Sequence, residues 1–338
     1  MLVTLDIESY YDQNYTLKKL STSEYIRDRR FEAMCVGIKI DKAKAIVYPP
    51  EEIKAALKKI DWEKATLLCH HTHFDGLILS HLFGIVPARY ACTLSNSRAL
   101  TPKGPRNDLN SVAERYKLGN KLQMPDFEGR HWSDLTEEER DNVADYCGVD
   151  VELCYKVYQE QLKEMPAEEL DLVNITVRMF ADPVLECDLP RAKKELEREI
   201  AHKKLLVSKS GVDLDTLMSN PKFAAALAKL GISPPTKVSK TTGKEAFAFA
   251  KTDEDLNILL AYPDKKVVAL VKARIAVKST IGETRAQRLI WLGSNGNKLP
   301  VYLKYCGAHT TRWSGSDGMN FQNFKRGGAL RKCIKAPK

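Results

Sequence analysis

An α/β sheet domain followed by a mainly helical region is the fold class that the sequence predicts, on three observations. The chain opens on a β-favouring run, Met1-Leu2-Val3-Thr4-Leu5-Asp6-Ile7. Short apolar runs and helical spacings then alternate through the first half. Beyond Pro166 the apolar residues recur at helical intervals among many lysines and arginines.

The elements follow in order. After the opening strand come Ala33–Ile40 and a third run, Ala45-Ile46-Val47-Tyr48, stopped by Pro49-Pro50. The short polar turn Asp41-Lys42-Ala43-Lys44 joins these two runs, which predicts an antiparallel meander. Glu51 to Ile60 places Ile53, Leu57 and Ile60 at helical spacing. Ala65 to His70 reads as a buried strand, and Gly76 to Phe83 as the helix after it. Leu109 to Leu118 is a helix capped at 107–110, and 119–133 is irregular, with Gly119, Pro125 and Gly129. Ser133 followed by Glu137, Glu138 and Glu139 reads as a capped helix start, and the helix continues past Asp150.

In the second half, helices are predicted at Asp171–Phe180, Arg191–Val207, Asn220–Leu230 and about Thr252–Ala261, with one long helix from Lys265 to Trp291. A basic loop spans 234–244, and Pro300 to Tyr305 reads as a strand. The remainder is loop-like and basic. A boundary near residue 165 divides the chain into 1–165 and 166–338.

Composition narrows the function. Hydrophobic residues make up 43% of the 338, an ordinary share for a globular protein. No apolar run approaches the roughly 20 residues of a membrane span, and no basic-then-apolar leader opens the chain, so a cytoplasmic protein with no membrane partner is expected. Eight cysteines without a Cys-x-x-Cys pair argue against zinc and for reduced thiols. The net charge of +9 is unevenly spread. Residues 1–170 hold 23 Lys+Arg against 28 Asp+Glu, and residues 171–338 hold 30 against 16. A basic half beside an acidic half suits a polyanion held by one part and a cation-dependent site in the other.

The acids give that site. On a strand, Asp6 and Glu8 point to one face while Leu5 and Ile7 point to the other. Two carboxylates on one face repel unless a cation joins them, and hard oxygen ligands suit Mg²⁺ or Mn²⁺. Asp75 follows a strand at a helix start, where a capping role and a ligand role are both open. Tyr146 and Asp150, four apart, share one helix face. His70, His71 and His73 lack the spacing of a zinc site, because neighbouring strand residues alternate faces.

Asp6-x-Glu8, then Phe74-Asp75, then Tyr146-x-x-x-Asp150 together resemble the DEDDy branch of the DnaQ-like 3′–5′ exonucleases, which have a ribonuclease-H-like fold. The resemblance implies that Asp6, Glu8, Asp75 and Asp150 hold two divalent ions, Mg²⁺ or Mn²⁺, roughly 3.5–4 Å apart. It implies further that Tyr146 helps to orient the attacking water. His71 and Phe74 would meet the terminal nucleotide, with His71 standing where the family often has Asn.

The basic half carries a second resemblance. Gly307-Ala308-His309-Thr310-Thr311-Arg312-Trp313-Ser314, followed by Asn320-Phe321-Gln322-Asn323, resembles the stretch before the first palm carboxylates of family A DNA polymerases, especially phage-type members. There Arg312, Ser314, Gln322 and Asn323 would face primer–template DNA. Val271-x-x-Arg274-x-x-x-Lys278-Ser279-Thr280 resembles the thumb helix of that family, whose Lys-Ser-Thr end meets the DNA backbone. The expected reading is a proofreading exonuclease plus thumb, acting on a single-stranded 3′ end and a primer–template duplex. The palm aspartates and fingers helix of the family have no counterpart here, so a palm-and-fingers chain or a further C-terminal portion is the expected partner. A non-catalytic DNA-clamping or scaffold subunit is the alternative. An RNA-trimming nuclease is disfavoured by the thumb-like segments.

Overall fold

The computed structural model describes residues 1–101, 106–239 and 241–337. The chain divides into two compact units. One comprises residues 1–186, 296–326 and the last residues from Lys335, and the other residues 187–295 and 327–334. The division falls after Glu186 rather than near residue 165. The helix Ala167–Ala181 explains the difference, since it buries Val173, Val177 and Phe180 in the core of the first unit.

In that unit β1 (Leu2–Ser9), α1 (Thr22–Arg27), β2 (Ala33–Ile40), β3 (Ile46–Tyr48), α2 (Pro50–Lys58), β4 (Thr66–Cys69), α3 (Thr72–Phe83), β5 (Arg89–Cys92), α4 (Thr93–Leu100) and α5 (Leu109–Arg115) follow in order. After these come α6 (Glu137–Gln161) and α7 (Ala167–Ala181). The sheet order is β3-β2-β1-β4-β5, a mixed α/β arrangement. β1, β2 and β3 form the expected antiparallel meander, while β4 and β5 run parallel to β1. β1 therefore lies at the centre, its apolar residues Val3, Leu5 and Ile7 buried. A second cluster, built from Leu68, Val112, Leu153, Val157 and Tyr158, joins α5 and α6 to the sheet.

Several boundaries move, each for a local reason. α3 begins at Thr72, before the apolar periodicity becomes visible at Gly76. The cap of α6 is Thr136 rather than Ser133. Its hydroxyl accepts from the Glu139 amide while Glu139 reaches back to the Thr136 amide. α5 ends at Arg115, three residues early. β5 and α4, unforeseen, fill the segment between α3 and α5.

The second unit starts within β6 (Glu186–Cys187) and holds α8 (Leu189–Ser210), α9 (Leu214–Met218), α10 (Asn220–Lys229), β7 (Thr236–Val238), β8 (Glu245–Phe247), α11 (Glu254–Ile258), α12 (Lys265–Lys278) and α13 (Ile281–Gly293). Leu217, Phe223, Leu227, Leu256, Val267, Leu270 and Val271 form its separate core. The predicted basic loop is an antiparallel β7–β8 hairpin, with Lys240 outside the described residues. The long helix predicted from 265 to 291 is broken in two, because Ser279 turns to extended geometry and caps α12. The strand expected at 300–305 shrinks to β9 (Leu303–Lys304), paired with β10 (Ser314–Gly315), and β11 (Ile334–Lys335) closes the element order. Among the described residues no helix is long and apolar enough to cross a membrane.

Candidate metal centre and nucleic-acid contacts

Three elements carry the acids. β1 turns Asp6 and Glu8 to the same side, with a register shift directly after Glu8 that ends regular pairing there. Opposite Asp6 in the ladder stands Gly37. A Cβ at Gly37 would lie 2.7 Å from Cγ2 of Val151 and 3.0 Å from Sγ of Cys147, so the missing side chain lets α6 approach the sheet. α6 in turn buries Tyr146, Cys147 and Asp150. Asp75 lies in the first turn of α3, 3% exposed, where the helix N-terminus favours a negative charge.

The four carboxylates act on one another. Burial and then Asp150 raise the Asp6 carboxyl to about 7. Burial and then Asp6 raise Glu8 well above its ordinary range, and Asp75 likewise. Burial also raises Asp150, against the pull of Lys121. Even with Lys121 beside it, such a group of oxygens is short of positive charge, the condition a divalent cation relieves. One oxygen of Asp150, Oδ1, is buried without a hydrogen-bond partner. An all-oxygen donor set with an unpartnered buried oxygen fits Mg²⁺ or Mn²⁺.

Among the described residues the close donor cluster is Asp6, Glu8 and Cys147, and it does not include Asp75 or Asp150. The Cys147 sulfur and the oxygens of Asp6 and Glu8 lie within 4.8 Å of one another. A hydrogen bond with Cys35 and burial raise the Cys147 thiol well above the ordinary range, and Sγ donates to the Asp6 carbonyl at 3.6 Å. It lines the same side of the site as Asp6 and Glu8. The three histidines form no metal group with each other among the described residues.

Lys121 is the residue that sequence reasoning missed. Its ammonium forms an ion pair with Oδ2 of Asp150 and lies 4.7 Å from the centre of the Tyr146 ring. A lysine in an irregular stretch has no periodicity to mark it, and only the fold brings it to these acids.

The expected nucleic-acid residues fare unequally. The His71 ring is half-buried, with Nε2 2.5 Å from the Tyr302 hydroxyl, and Phe74 packs near Tyr25. Tyr302 also stacks on His73 and meets Phe180 edge-on, which places the 300–305 segment against α3 and α7. Arg312, Gln322 and Asn323 are exposed, and Ser314 is half-exposed on β10. Arg274 is corrected. It is 2% exposed, its guanidinium donates to the Leu217 carbonyl and to Asn220, and it lies over the Phe223 ring. Its guanidinium is engaged within the second unit, at the wall of an open cleft, and is not an exposed contact. Lys278, Ser279 and Thr280 line the same cleft of about 510 Å³, beside Lys251 and the stacked rings of Phe247 and Phe249.

No known family profile matches the chain, and no characterised protein matches it in sequence. Among solved structures, the POL domain of Pol1 from M. smegmatis, in complex with DNA primer–template and dNTP, matches 98% of this chain at a TM-score of 0.54 and 14% identity. The chain shares that fold. It spans about half of that domain, 53% of its length. NrnC of Brucella melitensis, in two structures of which one has bound Mg²⁺, matches 52% of this chain and 81% of its own at 16% identity, with TM-scores of 0.39 and 0.38. At 14% identity, the first of these likenesses speaks to fold alone.

Proposed function

We propose that the chain is a metal-dependent 3′–5′ DNA exonuclease, the proofreading part of a family A polymerase, with a ribonuclease-H-like first unit and a thumb-like second unit. The observation that carries this is four carboxyls all raised by burial, with Asp6, Glu8 and Asp75 raised further by a neighbouring acid and Oδ1 of Asp150 buried and unpartnered. Asp6, Glu8, Asp75 and Asp150 would hold two divalent ions. When bound, such ions activate water and stabilise charge on the phosphate and the leaving 3′ oxygen. Tyr146, one turn before Asp150 on α6, orients the water through its hydroxyl. The buried apolar residues of β1 keep Asp6 and Glu8 fixed, and because water is the attacking group no protein nucleophile is needed.

The exposed Lys251 and Lys278, with Thr280, suit a nucleic-acid backbone in the second unit. Polymerisation would belong to a palm and fingers outside these residues, carried by a partner chain or a further portion. The engaged ring of His71 favours a second reading, a DNA clamp with weak cleavage.

The test is digestion of a 3′-labelled single-stranded oligonucleotide with Mg²⁺, Mn²⁺ or EDTA, beside Asp6→Ala. Metal-dependent release of single nucleotides, lost in the variant, supports the exonuclease. A folded, DNA-binding chain that releases nothing supports the clamp.

A further inference from the structure

We propose that Lys121 is a positioning residue, which presents Asp150 to a divalent ion through a single oxygen and holds the Tyr146 ring beside it. This rests on the exonuclease reading.

The two oxygens of Asp150 have different fates. Oδ2 is taken by the Lys121 ammonium, while Oδ1 is buried and unpartnered. A carboxylate free to rotate would offer both oxygens in turn. One clamped by a lysine offers one, in a fixed direction, as the outer partners of metal ligands do. The same ammonium sits over the Tyr146 ring, so a single side chain fixes both residues of α6 that face the chemistry.

Lys121 is itself held. Its backbone amide donates to Oδ1 of Asn110 on α5 at 2.9 Å, and its side chain is 23% exposed against 7% for Asp150. The irregular segment before α6 is thereby tied at the point where it enters the site. A lysine serving only solubility would extend into water. Among the described residues no other ion pair engages Asp6, Glu8, Asp75 or Asp150.

Two roles make opposite predictions. If Lys121 only supplied counter-charge, its loss would remove repulsion and tighten cation binding. If it orients Asp150, its loss weakens cation binding in spite of the lower positive charge, by about 10–100-fold. Full-length Lys121→Met and Lys121→Arg would be titrated with Mn²⁺, without DNA, by electron paramagnetic resonance. Steady-state cleavage would be measured alongside.

The expected result is Mn²⁺ binding weakened tenfold or more in Lys121→Met and largely restored in Lys121→Arg. The kcat should fall with little change in KM for the oligonucleotide. In an Asp150→Asn background, Lys121→Met should add nothing. Binding that is unchanged or tighter in Lys121→Met overturns the inference alone. A wild-type chain that binds no Mn²⁺ overturns the exonuclease reading and this inference with it. Should Lys121→Met unfold, Lys121→Gln, which keeps a polar head without the charge, carries the same Mn²⁺ titration and the same opposite outcomes.

Discussion

Gly37 stands directly across the β1–β2 ladder from Asp6, and the space it leaves is filled by Cys147 and Val151 of α6. The approach of α6 to the strand that carries two of the acids thus depends on a hydrogen where other residues have a methyl group. Gly37→Ala should force α6 outward, at a cost of about 1–3 kcal/mol in urea unfolding. Cleavage should fall tenfold or more, because Tyr146 and Asp150 move with the helix. Full activity in this variant would mean that the acids tolerate a shifted α6.

Asp6→Asn should abolish cleavage and leave duplex affinity nearly intact. It also removes a buried charge that raises both Glu8 and Asp75. The melting temperature of the metal-free first unit should therefore rise by about 2–4 °C, the shift produced by roughly 1 kcal/mol in a unit of this size. Calorimetry in EDTA checks this, and a lower melting temperature would show that the acids repel less than their crowding implies.

Arg274 and Lys278 lie one helical turn apart on α12, yet their loss should be felt differently. Arg274→Met deprives the Leu217 carbonyl and Asn220 of their donor, and should cost about 3 kcal/mol in stability. Lys278 is exposed at the end of α12. Lys278→Ala should leave unfolding unchanged and lower the slope of log affinity against log salt by about one. Equal melting temperatures for the two variants would refute the division.

His70 offers a pH-dependent readout away from the acids. Its Nδ1 lies 2.8 Å from the Thr93 hydroxyl and its Nε2 3.0 Å from the Asn107 carbonyl, so Nε2 donates and Nδ1 accepts. Burial and then His71 lower it from 6.5 to about 3. A group whose folded value is lowered takes up its proton more readily when unfolded. Its contribution to stability is present above about 6.5 and is lost as the pH falls towards 3. Nuclear magnetic resonance should find the ring neutral at pH 5, and a charged ring there would contradict these hydrogen bonds.

The parts of the fold that the sequence made legible are those with local causes. The meander of β1, β2 and β3 follows from alternation and a polar turn, and Asp6 with Glu8 follows from the pleat. β5 and α4 were missed because Arg89–Cys92 is too short and mixed to read as a strand. The break between α12 and α13 was missed because Lys278-Ser279-Thr280 carries neither Gly nor Pro. Lys121, Gly37 and Cys147 were invisible as site residues for another reason. Their roles depend on which elements meet, and spacing along the chain does not encode that. Arg274 was misjudged because an arginine in a basic helix reads as surface, whereas here Phe223, Leu217 and Asn220 enclose it.

The central position of β1 has a kinetic consequence. The acids come from the first strand, the third helix and the sixth, and they meet only after β1 has paired with both β2 and β4. Such distant pairings form late, because loop closure precedes the contacts that reward it. Recovery of cleavage after dilution from urea should therefore lag the return of helical signal, and nucleotide release would serve as a clock for the last step in assembling the first unit.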